Sequence, residues 1–304
     1  MKVAIGPSSF AAKDRTPLDM LTRAGVEILP NPYGRRLDQD ETIALLREAD
    51  GLIAGLEPLN RTVLASAKNL KALARVGIGM TNVDREAAAD LGIKVSFTPD
   101  APAAAVAEMT ICCMLALCRR LVAVNNATRA GRWTKDVSQG LSGLPVLLVG
   151  YGRTGREVGR LLRAFGTKVM VCDPFVTQAD LTDGETAVSL EDGLAVARVV
   201  SLHASGEDVI LDDAAFARMP EGVILLNASR GALVDEKALL TALDAGRIGG
   251  VWFDAFWREP YDGELCHYEQ TLLTPHVCTY TVQCRKDMET TAVSNLLRDL
   301  GLTA

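Results

Sequence analysis

Short apolar runs alternate with segments of helical period along the whole chain. In the first third, Val3-Ala4-Ile5, Val26-Glu27-Ile28-Leu29, Gly51-Leu52-Ile53-Ala54, Leu73-Ala74-Arg75-Val76 and Val95-Ser96-Phe97 predict five strands. Residues 17–24, 41–48, 61–67 and 84–91 carry helical patterns between them. Such alternation is the signature of a parallel sheet covered by helices, because each parallel crossover needs a dozen or more residues. From about 101 to 130, apolar residues fall on nearly every helical face, with Asp100 as cap and Pro102 in the first turn. This predicts one long helix buried between domains or against a partner subunit. Gly131, Gly140 and Gly143 then mark a loop. A second series follows, with strands at 145–149, 168–172, 198–202, 222–227 and 249–253 and helices at 153–166, 212–218, 235–245 and 281–300. The chain reads as α/β, with two doubly wound parallel-sheet domains.

Composition narrows the function classes. A length of 304 residues supports two domains, at roughly 150 residues each. A chain of this size buries roughly 75% of its unfolded surface, so its core needs neither disulfides nor a metal. The balance of 32 Lys+Arg against 38 Asp+Glu gives a net charge of −6 and argues against nucleic acid or an anionic membrane as partner. The run from Ala101 to Cys118 is interrupted by Glu108 and Thr110 and stops at Arg119-Arg120, short of the ~20 apolar residues of a membrane span. The apolar run at the N-terminus is too short for a signal peptide. Seven cysteines, none in a C-x-x-C pair, read as reduced and mostly buried thiols of a cytoplasmic protein. There are three histidines, His203, His267 and His276, so histidine chemistry has few candidates.

The clearest local motif is Gly150-Tyr151-Gly152-Arg153-Thr154-Gly155, directly after a predicted strand and opening a helix. In that context the first glycine makes the turn, the second admits a pyrophosphate and the third lets helix and strand pack closely. The helix N-terminus attracts the phosphate charge. Asp173 ends the next strand, eighteen residues beyond Gly155. A carboxylate there accepts hydrogen bonds from an adenosine ribose and repels a 2′-phosphate, favouring NAD over NADP.

Together with Asp173, this loop is followed in order by Ser201-Leu202-His203, Asn227-Ala228-Ser229-Arg230-Gly231, Asp254 through Pro260, and Thr274-Pro275-His276. The series resembles the NAD-dependent D-isomer-specific 2-hydroxyacid dehydrogenases, phosphoglycerate dehydrogenase-like members above all. Arg75 through Asp84 and Val106 through Thr110 fit the same pattern. The resemblance implies two Rossmann-like/flavodoxin-like domains, the NAD domain (98–281) inserted in a substrate domain (1–97 plus 282–304). It also implies a homodimer through the 101–130 helix. Arg230 matches the family's substrate-clamping arginine, His276 its general acid/base, and Glu259 the acid bonded to that histidine. His203 and Asp254 match positions around the nicotinamide, and Ala228 and Thr110 others along the cofactor. Val76-Gly77-Ile78-Gly79 resembles the loop whose N–H groups meet the substrate carboxylate. Physical need agrees with these roles. Reducing a 2-oxo acid takes a cation for the carboxylate, a proton donor near neutral pKa and a hydride source. No metal is implied.

Several departures mark an atypical branch. Ile78 stands where the related phosphite dehydrogenases carry lysine, and Cys278-Thr279 replaces a Gly-Gly pair after the histidine. Thr154 replaces an aliphatic residue, and the loop after His203 is short. The loop Gly55 to Leu59 lacks the arginines of a phosphate site. The expected activity is hydride transfer between NAD(H) and a small D-2-hydroxy acid or 2-oxo acid. The alternative is a dinucleotide-sensing binding protein, like the transcriptional corepressors that share this fold and can keep the same three residues.

Overall fold

The computed structural model describes residues 1–303. The chain runs β1 (Lys2–Ile5), α1 (Thr16–Arg23), β2 (Glu27–Pro30), α2 (Gln39–Leu46), β3 (Gly51–Ala54), α3 (Arg61–Ser66), β4 (Ala72–Arg75), α4 (Arg85–Asp90) and β5 (Lys94–Phe97). Then come α5 (Pro102–Cys118), α6 (Leu121–Arg129), β6 (Pro145–Val149), α7 (Arg153–Ala164), β7 (Lys168–Cys172), β8 (Glu185–Ala187), α8 (Leu190–Val196) and β9 (Val199–Leu202). The last elements are α9 (Asp213–Arg218), β10 (Val223–Asn227), α10 (Glu236–Asp244), β11 (Ile248–Phe253), β12 (Thr271–Leu273) and α11 (Val282–Leu300). Two compact units result, Met1–Pro102 with Tyr280–Ala304, and Ala103–Thr279.

In the first unit five strands pair in the order β2-β1-β3-β4-β5, every pair parallel. Helix α11 returns to this sheet because Gly51 leaves room for it: a Cβ there would lie 2.9 Å from Leu300 Cδ1. The first turns of α11 also grip the loop after β1. Glu289, buried, accepts the Ala11 N–H at 2.9 Å and pairs with Arg285 at 2.6 Å.

The second unit holds a seven-stranded sheet in the order β12-β11-β10-β9-β6-β7-β8, again parallel throughout. Alternate residues of each strand point to opposite faces. Leu147, Val149, Val200, Leu225 and Phe253 therefore meet Phe216, Leu239 and Leu243 in one core. Val146, Leu148, Val199, Leu226 and Trp252 meet Met114, Val158 and Leu162 in the other. Strand β6 pairs with both β7 and β9. The chain order reverses there, which is where open α/β sheets bind ligands, at the carboxyl ends of the strands.

One expectation is corrected, and three elements are added to those the pattern predicts. The single helix of 101–130 is two helices, broken where Arg120 turns left-handed at φ 48°. Residues Ala107, Ile111, Met114 and Cys118 of α5 enter the core, whereas α6 buries none of its residues. Strands β8 and β12 and helix α8 were not predicted. Each strand is a three-residue edge segment, and β8 opens on a glutamate, so neither shows the apolar run of a central parallel strand.

Candidate active site

The glycine loop leaves β6 at its carboxyl end. Gly150 has φ 92°, and a Cβ on it would lie 2.3 Å from the backbone N of Ala204, because the chain after β9 passes directly alongside. Gly155 is packed against its own loop, its Cβ position 2.3 Å from Gly150 O. Gly152 is the opposite case. Nothing lies within 4 Å of its Cβ position, and it opens α7 without a side-chain cap. A charged group can therefore approach the N–H groups of the first helical turn. Asp173, half-buried at the end of β7, accepts the Tyr151 N–H through Oδ2 (2.6 Å) and the Phe175 N–H through Oδ1 (2.9 Å). Its remaining lone pairs are available to a ligand hydroxyl. An open cradle over Gly152 and an oriented carboxylate suit a dinucleotide.

In the loops after β10, β11 and β12, Arg230, Glu259 and His276 converge. His276 Nδ1 lies 3.0 Å from both Glu259 oxygens. An ionised carboxylate only accepts, so Nδ1 carries the proton, and Nε2 has no partner among the described residues. Burial pushes the Glu259 carboxyl up, but the His276 bond and charge, the Phe256 N–H and the Arg230 charge together hold it below its ordinary value. The Arg230 guanidinium donates to Ser229 O at 2.6 Å and remains half-buried.

The local fold explains the convergence. Asn227, fully buried, accepts the Ser229 N–H and donates to Arg230 O (2.8 Å), which shapes the turn after β10. A Cβ on Gly231 would meet the backbone of Phe256 and Trp257 at 2.2 Å. The turn bearing Arg230 thus lies against the loop bearing Glu259. Stacked rings stiffen that loop, Phe253 on Trp257 at 5.1 Å and Phe256 on Tyr261 at 4.6 Å. His276 adopts φ 54°, which costs an L-residue ~1–2 kcal/mol. Asp254 holds the turn by accepting Thr274 Oγ1, Val277 N–H and Cys278 N–H at 2.6–3.0 Å.

Comparison with known proteins agrees with this geometry. Residues 111–278 match the family model described as D-isomer specific 2-hydroxyacid dehydrogenase, NAD binding domain. The chain is 30% identical over 299 residues to the hydroxypyruvate reductase of Thermotoga maritima, covering 93% of this chain and 97% of that one. It is 34% identical over 256 residues to the D-3-phosphoglycerate dehydrogenase of Mycobacterium bovis, with 82% of this chain but only 48% of the relative covered. The TT0316 protein of Thermus thermophilus superposes with a TM-score of 0.90 at 33% identity, over 99% of this chain and 97% of that one. The chain belongs to the D-isomer specific 2-hydroxyacid dehydrogenase family. It is an NAD-dependent oxidoreductase with the family's NAD-binding domain as its second unit. The relatives named are reductases and dehydrogenases, so the corepressor alternative gains no support from them.

Other residues of this dehydrogenase are placed less simply than their motifs imply. Asp254 is 1% exposed with both oxygens engaged by its own loop, so its evident work is to hold the His276 turn. Thr110 is fully buried and its hydroxyl donates to Val106 O within α5. Ala228 packs against the core under β10. Arg153 and Thr154 form the first turn of α7. In the first unit, the N–H groups of Val76 and Gly77 are taken by Ala54 O and Thr98 Oγ1. Those of Ile78 and Gly79 remain without partner among the described residues. Cys278 is buried in the core, and burial together with the Asp254 charge pushes its thiol up. Cys112 and Cys266 are exposed, and all seven cysteines are free. The sequence reading passed over Glu57, a buried carboxylate accepting the Gly55 N–H with both oxygens. Its only signal is a charge between Leu56 and Pro58 in the loop after β3. It also passed over the Asx turn made by Asn227, visible as Asn two residues before Ser229.

His203 follows β9 with Nε2 2.9 Å from Ser201 Oγ, and burial pushes its imidazole down to about 4 from an ordinary 6.5. The folded protein therefore keeps it neutral where the unfolded chain takes up a proton. Stability from this group is present above pH 6.5 and is lost as pH falls towards about 4. In urea unfolding across that range, wild type is expected to lose stability relative to His203→Gln. A difference between the two that does not change with pH would contradict the neutral imidazole.

Proposed function

We propose that this dehydrogenase interconverts a small D-2-hydroxy acid and its 2-oxo acid, with His276 moving the proton, Glu259 supporting it and Arg230 binding the carboxylate. The observation that carries this reading is the His276–Glu259 pair, bonded through Nδ1 at 3.0 Å and leaving Nε2 unpartnered. Bound NAD supplies or accepts the hydride at the substrate's C2. In reduction, Nε2 donates its proton to the carbonyl oxygen while Glu259 holds the ring through Nδ1. The guanidinium fork of Arg230 holds the carboxylate in plane and polarises the adjacent carbonyl. Gly150, Gly152 and Gly155 with the first turn of α7 receive the pyrophosphate, and Asp173 receives the ribose hydroxyls. His203 borders the cofactor as a neutral ring. Asp254, Thr110 and Ala228 support the walls of this site.

The loops after β3 and β4 of the first unit, taken by themselves, offer a surface that suits a small acid. The free N–H groups of Ile78 and Gly79 suit a carboxylate. Leu56 and Ile78, each 42% exposed after the adjacent parallel strands β3 and β4, favour an uncharged side chain over a phosphorylated one. Arg75 does not offer a phosphate site, since its guanidinium bonds Val76 O and its charge meets Glu57. Free thiols throughout support a cytoplasmic setting. No described helix is long and apolar enough to cross a membrane. A second copy of the chain is the proposed cover for α6 and the following loop, where Leu121 is 59% and Trp133 81% exposed.

His276→Asn is expected to lower turnover of 2-oxo acids by about 10²- to 10⁴-fold while NADH affinity, read by fluorescence titration, stays unchanged. Retained turnover would remove His276 from proton transfer. Light scattering on the intact protein is expected to give the mass of a dimer, and Leu121→Glu with Trp133→Glu the mass of a monomer. A monomeric wild type would contradict the proposed cover.

A further inference from the structure

Tyr151 lies between two glycines of the dinucleotide loop yet is only 3% exposed. Its ring turns back beneath α7, where Gly159 makes room for it. A Cβ on Gly159 would lie 2.7 Å from the tyrosine hydroxyl and 2.9 Å from Glu185 Oε1. The hydroxyl donates to Glu185, on the edge strand β8, and Arg163 donates to the same carboxylate oxygen. The second oxygen accepts the Thr182 N–H at 3.1 Å and the Thr182 hydroxyl at 2.9 Å. On the other side, the Arg156 guanidinium covers the tyrosine ring at 5.0 Å.

Burial pushes the Glu185 carboxyl up, but Tyr151, Thr182 and the Arg163 charge outweigh it and keep the group ionised at neutral pH. A buried charge with four donors is a costly arrangement, and neither proton nor hydride transfer uses it. Its connection to the site runs through the backbone. The N–H of Tyr151 donates to Asp173 Oδ2 at 2.6 Å, while Phe175 N–H holds Oδ1. Anchoring the tyrosine hydroxyl thus restrains the peptide that orients the ribose carboxylate.

We propose that Glu185 is a positioning residue for the dinucleotide, acting through the Tyr151 hydroxyl to fix Asp173 and so to set the preference for a free 2′-hydroxyl over a 2′-phosphate. This rests on the reading of Asp173 as the ribose acceptor. Without the anchor, the loop peptide rotates, and Asp173 both accepts the hydroxyls less well and repels a phosphate less strongly.

The test is fluorescence titration of NADH and NADPH against wild type, Tyr151→Phe, Glu185→Leu and Asp173→Asn, with thermal unfolding measured in parallel. The NADPH-to-NADH ratio of Kd values is expected to fall roughly fivefold in Tyr151→Phe and Glu185→Leu, the size of one lost hydrogen bond, and further in Asp173→Asn. Tyr151→Phe keeps the ring packed and decides the matter if Glu185→Leu does not fold. A lowered melting temperature with an unchanged ratio would reduce the network to a structural role and overturn the proposal. A ratio that moves in Asp173→Asn alone overturns the proposal but leaves the reading of Asp173 intact. A ratio unchanged in Asp173→Asn overturns both.

Discussion

Asp254 directly follows β11 and is 1% exposed, and the turn 274–278 hangs on the three donors it accepts, Thr274 Oγ1, Val277 N–H and Cys278 N–H. Hydrogen bonds to a charged acceptor contribute ~1.5–3 kcal/mol each. Together they offset both the burial of the charge and the left-handed backbone of His276. The Asp254 N–H in turn donates to Asn227 O, at the end of the neighbouring strand. Asn227 is also the residue whose side chain shapes the Arg230 turn. The parallel register of β10 and β11 is thereby converted into the placement of arginine and histidine. Gly231, which admits the Phe256–Trp257 backbone, adds the glutamate.

The same device recurs at other loops. Asp173 holds the glycine loop through Tyr151 N–H, Glu57 holds the loop after β3 through Gly55 N–H, and Glu289 holds the loop after β1 through Ala11 N–H. A parallel sheet gathers its loops at the carboxyl ends of the strands without specifying their conformation. Buried or half-buried carboxylates that accept backbone N–H groups supply that specification. Carboxylates suit the task, because each leaves lone pairs for a second donor.

The periodicity of the chain was enough to read both series of parallel strands, since fully buried strands appear as apolar runs. The glycine loop and Asp173 were legible for the same local reason. Edge strands β8 and β12 were not, because an edge segment of three residues has no run to detect. The break at Arg120 was hidden too, as two arginines after an apolar stretch fit a helix end and an exposed turn equally well. In the site, the types of Arg230, Glu259 and His276 could be read from motif order, but their 17-residue and 29-residue separations say nothing of contact. Asp254 shows the opposite failure. Its position was legible, while its engagement with its own loop depends on a turn that only the fold makes.

The proposed reaction passes hydride between NAD and C2 of a 2-oxo acid with an uncharged side chain. Its most direct test is to incubate the protein with NADH dideuterated at C4 and a panel of small 2-oxo acids, then analyse the products by chiral separation and mass spectrometry. The expected product is a D-configured 2-hydroxy acid carrying one deuterium at C2, formed fastest from the members with uncharged side chains. NADH that binds but transfers no deuterium to any 2-oxo acid, or a marked preference for the phosphorylated members, would contradict it.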